Sequence, residues 1–151
     1  MTEAEFNRLA AAGYNRAPIV LETFADLDTP LSIFLKLANR PYSYLLESVV
    51  GGERFGRYSF IGLPAATRIE VRGRTCVEFH EGRAVEDKRL DDPLAYVNDY
   101  LARFRVAQDA GLPRFCGGLV GYFGYETVRY IERRLASTQK KDELGTPDIL
   151  L

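Results

Sequence analysis

The chain has 151 residues, 46% of them hydrophobic and 27% charged, with a net charge of −1. That length suits one soluble domain able to bury about two-thirds of its unfolded surface, and the near-neutral balance excludes an electrostatic footprint for nucleic acid. No apolar run approaches the roughly 20 residues that cross a bilayer, and the start MTEAEFNRLAAAG lacks the basic head and apolar block of a secretory signal.

Thr2 and Glu5 have the spacing of a capping box, which opens a first helix with Phe6, Leu9 and Ala10 inward and Gly13 as its stop. PIVLETF, Pro18 to Phe24, reads as a strand. In DTPLSIFLKLANRP, Thr29 caps a second helix and Pro30 takes its first position. Leu31, Phe34, Leu35 and Ala38 form its stripe, and Asn39 and Pro41 end it. YSYLLESVV and RYSFIGL read as two strands joined across Gly51-Gly52. Alternation puts Tyr42, Tyr44, Leu46, Ser48 and Val50 on one apolar face of the first.

TRIEVRGRTCVEF reads as a hairpin turning at Gly73-Arg74, with Thr67, Ile69, Val71, Val77 and Phe79 on its apolar face. This is an antiparallel meander with one wet side. A third helix starts at Asp92 and Pro93, with Leu94, Val97, Leu101 and Phe104 inward. FCGGLVGYFGYE is a glycine-rich strand leading into a short helix whose Val128, Ile131 and Leu135 share a face. DILL follows a polar loop and has the composition of a strand that pairs with chain beyond it, so a truncated α+β protein is expected.

Residue chemistry offers no active site. Cys76 and Cys116 stand far apart without a CxxC partner, as reduced cytoplasmic thiols do. His80 is the one histidine and falls on the outer side of the hairpin, which excludes multi-His metal sites and His-dependent dyads. The glycines at 117, 118, 121 and 124 match neither GxGxxG nor a P-loop. They suit instead a close approach of another backbone or ring. The basic cluster VRYIERR with Lys140-Lys141 is either a solvated helix face or a docking surface for a partner chain. Ser48 is a polar residue in an apolar row. Such a serine serves either as a small filler bonded to a nearby carbonyl or as the polar end of a ligand pocket.

LLESVVGGERFGRYSFIG together with GGLVGYFGYETVRY resembles the N-terminal region of anthranilate synthase component I, from about Pro18 onward. The resemblance implies that residues 1–151 are the regulatory segment of an α+β enzyme of antiparallel sheets and packed helices. Its chorismate-binding and Mg2+-coordinating residues would lie in a C-terminal part, leaving no catalytic or metal-binding residue here. In that family the LLES element belongs to the site for the feedback inhibitor L-tryptophan. Carried over by position, Ser48 contacts the amino-acid head group, Leu46 lines the indole pocket and Glu47 contributes less directly, its side chain pointing to the other face of a regular strand. The family implies a cytoplasmic enzyme that forms anthranilate and pyruvate from chorismate, with ammonia from a glutamine amidotransferase component II. The similar N-terminal region of p-aminobenzoate synthase component I and a stand-alone, non-catalytic binding or scaffold module are the alternatives.

Overall fold

The computed structural model describes residues 1–48, 58–107, 111–113, 115–135, 137 and 142–151. Val50, Gly51-Gly52, Lys140 and Lys141 lie outside the described residues. The chain divides into two compact units, one of 1–21, 68–79 and 84–151, the other of 22–67 and 80–83. Among the described residues no helix is long and apolar enough to cross a membrane.

The larger unit is built on a five-stranded sheet. Its strands are β3 (Thr67–Arg72), β4 (Thr75–His80), β5 (Arg83–Arg89), β6 (Tyr122–Phe123) and β7 (Ile149–Leu150), in the order β5-β4-β3-β7-β6. Thr67, His80 and Arg83, at the strand ends, are counted with the smaller unit. β7 pairs antiparallel on both sides, Val71 opposite Ile149 on β3 and Phe123 opposite Ile149 on β6. The expectation that DILL pairs with chain beyond it is corrected in its partner alone: the strand pairs with two upstream neighbours, and Ile149 is fully buried.

Ile69, Val71, Cys76, Leu90, Tyr96, Val97, Tyr100 and Ile149 form the core of this unit. Two expectations about its inward faces are corrected. Gly73, at φ 57°, and Arg74 make a two-residue turn. Such a turn sets Arg72 opposite Thr75 and hence Val71 opposite Cys76. The buried row of β4 is thus the one that holds Cys76, while Val77 and Phe79 are half-buried on the other face, where the Arg68 guanidinium lies 4.0 Å from the centre of the Phe79 ring.

The helix α3 (Pro93–Ala102) is capped as expected, the Asp92 carboxylate accepting from the Leu94 and Ala95 amides. Its buried residues are Pro93, Tyr96, Val97 and Tyr100, with Leu101 47% exposed. Tyr96 and Tyr100 displace the expected leucine because their rings bury more apolar area, and the Tyr100 hydroxyl donates to the Glu78 carboxylate at 3.4 Å. The charged edge strand β5 had no apolar signature and was not expected. Its turn is Glu81-Gly82, both at positive φ (48° and 78°), which suits a two-residue hairpin. Charge on an exposed edge discourages pairing with other chains.

The helix α1 (Glu3–Ala11) carries the expected capping box and Gly13 at φ 84° just past its end. None of its residues is buried, and Phe6 is 53% exposed, against the expected inward stripe. Asn15 next ties the chain to the segment after α3, its side chain donating to the Arg103 carbonyl (2.6 Å) and accepting from the Arg105 amide (2.8 Å).

The glycine-rich run ends in β6, a 3₁₀ turn (Tyr125–Thr127), the short helix α4 (Val128–Ile131) and a second 3₁₀ turn (Arg133–Leu135). A methyl group on Gly121 would lie 1.9 Å from the Leu150 carbonyl oxygen, and one on Gly124 3.2 Å from that of Asp148. These glycines let β7 approach, as expected. The expected apolar face of α4 is open, with Ile131 74% exposed.

The smaller unit holds the helix α2 (Pro30–Leu37) and the hairpin strands β1 (Tyr44–Glu47) and β2 (Ser59–Gly62). Thr29 and Ser32 cap α2 reciprocally, and α2 lies against both strands. Ala38, just past the end of α2, is the one buried hydrophobic residue among those described in this unit, while Leu31 and Leu35 are half exposed. Pro18–Phe24 forms no strand.

Candidate functional site

β1 and β2 pair antiparallel in an unbroken register: Tyr44 with Gly62, Leu45 with Ile61, Leu46 with Phe60, Glu47 with Ser59. No extra residue interrupts the ladder, so alternation puts Tyr44 and Leu46 on one face and Leu45 and Glu47 on the other. Glu47 is exposed there, on the face away from Leu46. Ser48 follows the last paired residue, and one more step of the same register sets it opposite Tyr58.

The row is shorter and more open than expected. Tyr42 leaves it, with φ 63° in the turn that precedes β1. Leu46 is 50% exposed and Ser48 is exposed, so this face is a solvent-facing surface rather than a core row. Its floor is aromatic. The Tyr44 ring lies over Gly62, where a methyl group would come 2.0 Å from the ring edge, so only glycine admits it. The Tyr58 and Phe60 rings stack with centroids 6.2 Å apart at 27°. The structure therefore brings together Leu46 and Ser48 with Tyr44, Phe60, Tyr58 and Gly62, and leaves Glu47 behind them. The alternation of Tyr58, Phe60 and Gly62 in RYSFIG carried the signal for this floor, once the two strands are paired.

Chemically, such a surface can hold a flat aromatic group against Leu46 and Phe60 with a hydroxyl at its end. Other polar groups do structural work. Burial pushes the Cys76 thiol pKa up, which keeps it protonated and unreactive. His80 is exposed, its Nδ1 3.3 Å from the Thr67 hydroxyl. Arg129 is held by the Glu126 carboxylate and the Leu135 carbonyl, which accounts for one cation of the basic cluster as part of its own turn. Tyr130 lies between two acceptors, 2.7 Å from the Gly73 carbonyl and 2.7 Å from the Asp148 carboxylate. Among the described residues no group of three His, Cys, Asp or Glu side chains converges as metal ligands do.

No family model matches the chain. It is 58% identical over its whole length to a Pseudomonas putida protein named anthranilate synthase component 1, of which it covers 31%. The proteins of that name from Pseudomonas aeruginosa and Neisseria meningitidis serogroup B are 58% and 54% identical over the full chain, again with 31% of each covered. The chain thus spans about a third of the length of these relatives and matches their N-terminal region.

Proposed function

We propose that this chain, which belongs with the N-terminal region of the anthranilate synthase component 1 family, is the tryptophan-sensing part of an enzyme that forms anthranilate and pyruvate from chorismate. The observation that carries the reading is the aromatic surface ending at Ser48, in a chain 58% identical throughout to a protein of that name. An indole laid along Leu46 and Phe60 removes apolar area from water. The Ser48 hydroxyl meets the ammonium or carboxylate of the amino acid. Glu47, on the opposite face, acts through its backbone.

Inhibition requires that tryptophan prefer one conformation of the whole enzyme over another. A surface open in this third of the relatives' length becomes a closed pocket if the remaining part lies across it, and that closure provides the preference. Chorismate and Mg2+ are assigned to the remaining part, as the resemblance to the family implies. Ammonia comes from a glutamine amidotransferase component II, and the assembly works in the cytoplasm. The three relatives above are named for anthranilate rather than p-aminobenzoate synthesis, which favours the first over the second.

The test is Ser48→Leu in the full-length protein. Anthranilate formation is expected to persist, with the tryptophan concentration for half inhibition raised at least about tenfold, the loss of roughly 1.4 kcal/mol of ligand binding. Undiminished inhibition would remove Ser48 from the site. An enzyme that forms p-aminobenzoate precursor instead of anthranilate would overturn the wider reading.

A further inference from the structure

The segment Pro18–Phe24 has a strand's composition without a strand's pairing. Ile19, Val20, Leu21 and Phe24 are 81%, 66%, 90% and 94% exposed. Upstream, the last backbone hydrogen bond runs from the Ala107 amide to the Arg16 carbonyl, and the next downstream runs from the Asp28 amide to the Ala25 carbonyl. Between them the chain's amides and carbonyls are satisfied by no other part of the described structure. A run of exposed apolar residues with unpaired backbone is a template for strand addition. Ile19 and Leu21 have one parity, Val20 and Phe24 the other, so both faces are apolar, as in strands covered on both sides.

We propose that Pro18–Phe24 is a β-strand whose partner is a sheet edge in the polypeptide that makes up the other two-thirds of the relatives' length. This rests on the reading that the chain is the N-terminal region of such a longer protein, of which it covers 31% in the first relatives. A partner within the same polypeptide is favoured over a second copy. A two-sided apolar edge left for self-pairing would drive open-ended aggregation, which natural edges are built to avoid.

The test is hydrogen exchange of the full-length protein, resolved to single amides across residues 19–24, with anthranilate formation measured on the same sample. Pairing with one sheet edge slows every second amide, here by at least about 100-fold relative to an unstructured chain. That slowing should be the same at high and low protein concentration. Exchange at the unstructured rate overturns the inference, and if that sample forms anthranilate the functional reading survives it. Slowing that vanishes on dilution, together with dissociation of a dimer, also overturns it, in favour of a second copy. Protection without anthranilate formation leaves the strand in place and removes the functional reading instead.

Discussion

Tyr130 has one phenolic proton and two acceptors, the Gly73 carbonyl and the Asp148 carboxylate, each at 2.7 Å. Asp148 also accepts from the Gly73 amide at 2.6 Å. The three residues therefore pin the β3–β4 turn to the residue before β7 and to α4. Burial, then the hydrogen bond to and charge of Asp148, push the Tyr130 pKa above the ordinary tyrosine value near 10. A raised pKa contributes stability that is whole below the unfolded value and fades as pH rises from there toward the folded one. Tyr130→Phe is expected to cost about 1–2 kcal/mol at pH 8, and the gap to the parent protein should narrow by pH 11. Urea unfolding of both proteins at the two values checks this, and a gap that stays constant would remove the phenol's titration as its source. At this scale the sequence showed Ser48 as an anomaly in its row. It hid the bond that joins Tyr130 to Asp148, because 18 residues separate them and no local pattern links them.

Caps and turns were legible element by element. The capping box at Thr2, the cap at Thr29 and the carboxylate cap at Asp92 stand where the sequence put them, because a cap is decided by residues within one helical turn. Inward faces were less so. The parity of β4 depends on how many residues the Gly73-Arg74 turn inserts, and a single-residue difference exchanges Val77 for Cys76. Gly121 shows the same coupling between elements. Its missing side chain matters because β7, distant in sequence, brings the Leu150 carbonyl within 1.9 Å of where a methyl would sit. Leu150 is held in its strand from both sides, so it cannot retreat cheaply. Gly121→Ala is expected to destabilise by about 1–3 kcal/mol through overpacking, and Gly124→Ala, with 3.2 Å to the Asp148 carbonyl, by less. Thermal unfolding of the pair reads the difference, at a few degrees per kcal/mol. Equal melting temperatures would mean that β6 shifts freely and that the approach of β7 does not restrain it.

Across the molecule the two units differ in how much they bury. Ile69, Val71 and Ile149 are at most 1% exposed, in a core shared with Cys76, Leu90, Tyr96, Val97 and Tyr100. The hairpin β1–β2 leaves Leu46 half in water. Local opening follows buried contact, so the units should open independently and at different cost. In the 151-residue chain, the amides of Ile69, Val71 and Ile149 are expected to exchange at least about tenfold more slowly than those of Leu45 and Leu46. Hydrogen exchange by mass spectrometry checks this. Uniform protection across both units would mean that the chain unfolds as one cooperative body. The hairpin β1–β2, the run from Ile19 to Phe24 and Leu31 and Leu35 of α2 are exposed or half-exposed, in a chain that spans about a third of the length of its relatives.

What the sequence determined by itself was local or shared with relatives. It set the capped helices, the paired strands around Gly73 and the two motifs that relate the chain to anthranilate synthase component 1. Each is written in residues a few positions apart, where backbone sterics, caps and side-chain alternation act. The tertiary structure alone decided which faces are covered. It sent Tyr96 and Tyr100 inward and Leu101 outward, set β7 between β3 and β6, and left Ser48 at the edge of an aromatic surface in solvent. Burial is a property of what lies across from a residue, and no local stretch of sequence states what that will be.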